Sequence, residues 1–126
     1  MIFMIKSSKA RKQRRFRFNA PLHERQKFVN AHISKELSAK LGIKKRSIAI
    51  RKGDTVKVKS GDQKGKSGKV IKVDLRKSKV SIDGLNVKNA KGKESNILIN
   101  VSNLYITDLD LSDKLRKEKI ERFKSK

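Results

Sequence analysis

Arg51-Lys-Gly-Asp-Thr-Val-Lys-Val-Lys-Ser-Gly-Asp-Gln-Lys-Gly-Lys-Ser-Gly-Lys-Val-Ile-Lys-Val-Asp74 is the stretch that decides how the chain folds. It reads as a strand, a glycine-bearing loop and a second strand. Over 55–59 the residues alternate, with Val56 and Val58 on one face and Thr55, Lys57 and Lys59 on the other, the period-two pattern of a half-buried strand. The loop at 61–68 holds Gly61, Gly65 and Gly68 together with Lys64 and Lys66. Glycine permits positive φ and lets another backbone come close, so a sugar–phosphate chain could touch the loop while the lysines reach its oxygens. A tight turn with a bulge would need the same glycines, and for Gly61 and Gly68 the two readings weigh equally. Gly65-Lys66-Ser67 resembles the end of a nucleotide-binding loop, G-x-x-x-x-G-K-[ST]. Its first glycine would fall on Ser60, and the loop must open a helix whose N-terminus faces the phosphates. The alternating residues 69–73 are a strand instead, which excludes an NTPase.

Downstream of this stretch the period stays at two. Ile71/Val73/Leu75, Val80/Ile82, Ile97/Ile99/Val101 and Leu104/Ile106 alternate with polar residues, and Ile48/Ile50 do so upstream. Turn residues separate several of these runs, at Lys77-Ser78, Asp83-Gly84 and Lys91-Gly92-Lys93. Short strands at close spacing predict a small antiparallel barrel or sandwich over 47–111. The aspartates Asp54, Asp62, Asp74 and Asp83 suit turns, where a carboxylate satisfies nearby N–H groups.

Upstream the pattern is helical. Leu22, Val29, Ile33, Leu37 and Leu41 lie seven or four apart, an apolar stripe over 19–46. Asn19 with Pro21 marks a start, Gly42 a stop, and Ser34 a second cap, so one helix or two short ones are expected. His23 and His32 on this segment have no Cys or clustered acids beside them, which makes them surface or RNA-facing residues rather than metal ligands. Ahead of the stripe, Lys6, Lys9, Arg11, Lys12, Arg14, Arg15 and Arg17 form a run without an acid. The arm at 1–18 should repel itself and order on a partner. Phe16 and Phe18 sit among the arginines, placed either to pack back on the fold or to stack on bases. The segment 112–126 mixes both signs and fits a surface helix or a solvated tail equally well.

Composition states what the partner must be. Lys and Arg number 35 against 12 Asp and Glu, a net charge of +23 in 126 residues. That surplus opposes compaction unless a polyanion relieves it, and a nucleic acid does so with release of counterions. A membrane surface would need an amphipathic helix with a large apolar face, and none is evident. The opening Met1-Ile-Phe-Met-Ile5 is shorter than the roughly 7–15 apolar residues of a signal peptide. An intracellular location is therefore expected. Cys is absent, which excludes thiol nucleophiles, disulfides and thiolate zinc sites. Two histidines and scattered acids form no triad or carboxylate pair, so no enzyme and no cofactor is expected.

The residues from Lys52 through Val70 resemble the KOW motif, a strand–loop–strand unit that contacts RNA in ribosomal and transcription proteins. The flanks are more specific. Arg11-Lys-Gln-Arg-Arg15, Asn19-Ala-Pro-Leu-His-Glu-Arg25 and Ser34-Lys-Glu-Leu37 resemble the N-terminal extension of the family of the universal large-subunit ribosomal protein twenty-four, called twenty-six in eukaryotes. Ile82-Asp-Gly-Leu-Asn86, Lys88, Ala90-Lys-Gly92 and Val101-Ser-Asn-Leu-Tyr-Ile106 are similar to the same family, so the likeness covers roughly 9–112. The long extension looks like the archaeal and eukaryotic branch, and Lys52-Gly-Asp-Thr and Leu109-Asp-Leu-Ser-Asp look more archaeal than eukaryotic. Asn100-Val101 departs from the His-Pro that relatives often carry, at a single turn.

The resemblance implies a mostly β fold: an SH3-like barrel with a helical and extended basic N-terminal extension and a charged C-terminal tail. It implies a cytoplasmic, ribosome-bound protein that binds large-subunit rRNA, acts early in assembly and lies near the exit of the nascent-peptide tunnel. Neighbouring ribosomal proteins and nascent-chain factors at that exit would be its other partners, without membrane or self-association. Joined with the basic arm and the alternating strand, it makes Lys9, Arg11, Lys12, Arg14, Arg15, Arg17, Lys52, Lys57, Lys59, Gly61, Lys64, Gly65, Lys66, Lys69 and Lys88 the candidate RNA-binding residues. The loop at 86–94 matches the family hairpin directed at the tunnel exit. A transcription elongation factor would carry the motif beside a second, polymerase-binding domain, for which the chain has no room. A DNA-compacting protein would want a recognition helix, and the helical stripe reads as core.

Overall fold

The structure, a computed structural model, describes residues 5–124. The apolar opening at 1–4, considered above as a signal peptide, lies outside them, as do the last two residues. In chain order the elements are α1 (Ala10–Asn19), α2 (Leu22–Arg25), β1 (Asn30–Ile33), α3 (Lys35–Leu41), β2 (Ser47–Ala49), β3 (Thr55–Val58), β4 (Ser67–Asp74), β5 (Lys79–Lys88), β6 (Glu94–Asn100), β7 (Leu104–Asp108) and α4 (Lys114–Lys124). Short 3-10 turns lie at Gln26–Phe28 and Val101–Asn103. The seven strands form one sheet in the order β2-β1-β7-β3-β4-β5-β6.

The sheet is not closed: β2 and β6 end it and do not pair with each other. The sheet turns a corner within β4. Its first residues, Ser67–Lys69, pair with β3, whereas Val70 and residues 72–74 pair with β5. At the other end α4 lies beside β2, where Nη2 of Arg116 donates to the carbonyl of Ala49 at 3.2 Å. That bond occupies one backbone acceptor at the edge strand, leaving it unavailable to another strand.

The core is the inner face that the alternation marked. Val56, Val58, Val80, Ile82, Leu104 and Ile106 are all but fully buried, joined by Ile48, Ile50, Ile99 and Val101. One run is offset. Val70 is buried and Ile71 is exposed, because the ladder slips between Val70 and Lys72 and returns Val73 to the inner side. The expected turn at Asp83-Gly84 is no turn either. Gly84, at φ 82°, lies within β5 where the pairing with β6 shifts register, and the strand runs on to Lys88.

The N-terminal stripe is not one helix. Asn30–Ile33 is a strand that pairs antiparallel with β2 and parallel with β7, which brings His32 opposite Tyr105 and Ile33 opposite Ile106. Sheet pairing outweighs the four-residue spacing here, and Val29 and Ala31 point inward in period two. Leu22, counted in the stripe, is 57% exposed. Two expected punctuation marks do hold. The Ser34 hydroxyl accepts from the Leu37 N–H at 3.2 Å and starts α3, and Gly42 ends it in the left-handed region.

The C-terminal segment is a helix whose anchor is ionic. Asp54 is 0% exposed and Arg116 5% exposed. Nη1 and Nη2 of Arg116 donate to Oδ1 and Oδ2 of Asp54 at 2.5 and 2.6 Å. The same carboxylate accepts from the Arg51 N–H at 2.9 Å and the Asp110 N–H at 3.0 Å. Four donors thus satisfy one buried acid, as burial of a charge demands. The turn before β3, the end of β7 and α4 are locked together at this point. Neighbouring Asp110 is tied by Ser112, whose N–H donates at 3.1 Å and holds the Asp110 carboxyl below the usual carboxylate range.

Gly68, read from sequence as the end of the loop, lies in β4 opposite Val56. A Cβ there would stand 2.6 Å from the Asp83 carbonyl oxygen and 2.8 Å from Cγ2 of Ile82. Close packing of β4 on β5 therefore needs this glycine. Gly68→Ala is expected to cost about 1–3 kcal/mol, the usual range for forcing a methyl into a filled site. A thermal melt would show it, and an unchanged midpoint would mean that β4 and β5 separate freely.

Candidate nucleic-acid interface

The cationic candidates fall on separate parts of the surface. Helix α1 carries Arg11, Lys12, Arg14, Arg15 and Arg17, with Lys9 at its N-cap. Residues three and four apart share a helix face, so Arg11, Arg14, Arg15 and Phe18 form one stripe, all exposed. The opposite face holds the half-buried Gln13 and Phe16. Phe16 meets Phe28 edge to face with ring centroids 6.3 Å apart, and the Arg17 guanidinium lies 4.9 Å from the Phe28 ring centre. Nε2 of Gln13 donates to the carbonyls of Ile5 and Ser7 at 3.1 and 2.7 Å, and Arg25 donates to the carbonyls of Phe18 and Ala20. The arm is thus a helix laid on the fold rather than an unstructured run. Of its two phenylalanines, one packs back, and Phe18 stays 79% exposed.

Lys59, Gly61, Lys64, Gly65 and Lys66 lie in the β3–β4 loop, all exposed. Gly61 and Gly65 have φ of 100° and 88°, a region that disfavours every residue with a Cβ. They fold the loop on itself, with Gly65 N–H to Val58 O at 3.0 Å and Lys64 N–H to Gly61 O at 3.1 Å. A Cβ on either would meet nothing within 4 Å. The glycines therefore set the turn and leave its outer side open, which is compatible with both readings of the sequence. Lys57 and Lys69 stand on adjacent strands beside it, Lys57 opposite Ser67 and Lys69 opposite Thr55.

Lys52 lies in the turn that the Asp54 carboxylate ties down, and Lys88 ends β5 opposite Glu94. Beyond residue 85 the β5–β6 hairpin has no third strand: Asn86, Val87 and Lys88 pair only with Asn96, Ser95 and Glu94. The hairpin therefore projects from the sheet, closed by an Asn89 N–H to Lys93 O bond of 2.8 Å. The departing turn at 100–103 is intact, because Asn100 Oδ1 accepts from the Ser102 N–H at 3.3 Å.

The sequence did not disclose the buried pair of Asp54 and Arg116. Asp54 read as a turn aspartate, and it does receive the Arg51 N–H, but its main partner lies 62 residues away. No group of three His, Cys, Asp or Glu able to hold a metal exists among the described residues, and no helix among them is long and apolar enough to cross a membrane.

A small sheet thus sets a basic helix, a lysine-bearing loop and a hairpin outward. The family model of the ribosomal proteins called L26 in eukaryotes, with their archaeal L24 counterparts, matches residues 7–123. The chain is 48% identical over 119 residues to the large ribosomal subunit protein uL24 of Methanocella arvoryzae, covering 94% of each chain. It is 44% identical over 118 residues to the uL24 of Korarchaeum cryptofilum, covering 94% of this chain and 88% of that one. The chain belongs to this family of ribosomal proteins, and its role is structural rather than enzymatic.

Proposed function

We propose that the chain is a structural constituent of the large ribosomal subunit that binds its rRNA through α1, the β3–β4 loop and the lysines beside them. The observation that carries this is the orientation of α1. It packs through Phe16 and turns Arg11, Arg14, Arg15 and Phe18 to solvent. A helix with that outward stripe can neutralise phosphates and offer one ring to an unpaired base. The sheet holds α1, the loop and the hairpin apart on a stable frame, so RNA segments that repel one another can be fixed to one protein. That favours an early place in assembly. The projecting β5–β6 hairpin supports a position near the nascent-peptide tunnel exit, where its tip would meet neighbouring ribosomal proteins and nascent-chain factors. The working compartment is then the cytoplasm, in ribosomes.

The loop gives the direct test. Lys64→Ala combined with Lys66→Ala removes two exposed charges without touching the core. Filter binding to large-subunit rRNA over a salt series is expected to show weaker binding and a log K against log salt slope reduced by at most about two. A slope equal to that of the unaltered chain would show that the loop touches no phosphate.

A further inference from the structure

Five strands place one residue each in a row across the outer face of the sheet. Ser47 of β2 faces His32 of β1, His32 faces Tyr105 of β7, Tyr105 faces Lys57 of β3, and Lys57 faces Ser67 of β4. Directly paired residues share a face. The neighbours of Tyr105 and Lys57 along their strands (Leu104, Ile106, Val56, Val58) are buried, so the row points away from the core. With strands about 4.8 Å apart the row is about 19 Å long. Tyr105 sits at its centre. Beside His32 a shallow cavity of about 430 Å³ opens between α3 and β2, lined by His32, Lys35, Ser38, Lys44, Lys45 and Arg46 among others. No acid stands in the row or lines the cavity. The first acid along β7 is Asp108, opposite Thr55 at the far end.

We propose that this face is a second RNA site, in which Tyr105 stacks on one unpaired base and the cavity beside His32 takes a flanking phosphate. The inference rests on the rRNA-binding reading and adds to it the kind of RNA: a single-stranded segment laid across the strands. A duplex would bury its bases from the ring, whereas sheets with exposed aromatics take splayed bases on their face. Three lysines and Arg46 around one basin supply the charge that a phosphate needs, and the Arg46 fork can bind it through two oxygens. Stacking and charge are separable by salt, because stacking releases no counterions.

Tyr105 is the only tyrosine, and the chain has no tryptophan. Intrinsic fluorescence therefore reports on this ring alone. The full chain is titrated with large-subunit rRNA, with absorption corrected by free tyrosine, and the variants are compared by filter binding. Tyr105 emission is expected to be quenched on binding. Tyr105→Leu is expected to weaken binding about tenfold with an unchanged salt slope, while Tyr105→Phe keeps wild-type affinity. Lys44→Gln with Arg46→Gln is expected to lower the slope by about one to two. The site is refuted if the unaltered chain binds rRNA with its tyrosine emission unchanged, or if Tyr105→Leu binds as tightly as the parent. Should the unaltered chain bind no rRNA, the proposed function falls with it, a result distinct from either of those.

Discussion

Arg116→Met is expected to lower the unfolding free energy by about 3–5 kcal/mol, the usual cost of leaving one partner of a buried ion pair alone. For a chain of this size the melting midpoint should fall by roughly 10–20 °C. The reason is local. Asp54 would keep two backbone donors, from Arg51 and Asp110, but lose both guanidinium contacts while fully buried. The loss should spread to α4, since Arg116 also donates to the carbonyls of Ala49 and Asp110. Replacing both members, Asp54→Leu with Arg116→Met, should recover only part of the stability. The removed carboxylate leaves the Arg51 and Asp110 N–H groups unpaired, at about 1–3 kcal/mol each where they stay buried. The nearby pair of Arg51 and Asp113, 2.7 Å apart but about half exposed on both sides, is the control. Arg51→Met, which keeps the Arg51 N–H on Asp54 and leaves Asp113 to accept from the Leu115 N–H at the start of α4, should cost at most about 1 kcal/mol. Equal losses for the two pairs would show that burial is not what makes the first one matter.

Affinity for large-subunit rRNA is expected to fall by about 10³–10⁵ between 50 and 200 mM salt, the range for six to ten neutralised phosphates. Six cations stand on α1 and its N-cap alone: Lys9, Arg11, Lys12, Arg14, Arg15 and Arg17. The β3–β4 loop adds Lys59, Lys64 and Lys66. The corresponding log–log slope is about −4 to −9. A slope flatter than about −2 would mean that most of these charges face solvent in the complex.

The fold and the candidate surface were legible to different degrees. The β3–loop–β4 unit and the inward set Val56, Val58, Val80, Ile82, Leu104 and Ile106 followed from alternation, which is a local property of a strand with one buried face. Capping was local too, as Ser34 and Gly42 show. What failed was non-local. β1 hid inside a helical spacing because its partner β7 lies about seventy residues downstream, and pairing decided its conformation. Bulges moved Val70 inward and carried β5 through Gly84. Barrel closure depends on whether the two edge strands meet, which no alternating pattern encodes. The Asp54–Arg116 pair was unreadable for the same reason, a contact across 62 residues. On the surface, the residues of α1 could be named as cations, but the stripe of Arg11, Arg14, Arg15 and Phe18 appeared only once the arm was seen as a helix.

Sedimentation of the tagged chain from lysed cells through a sucrose gradient tests most directly whether its positive surface holds ribosomal RNA. The chain should travel with the large subunit at low salt, and ribonuclease should release it to the top of the gradient. A chain that stays at the top at low salt, or sediments identically after the RNA is digested, would contradict the account.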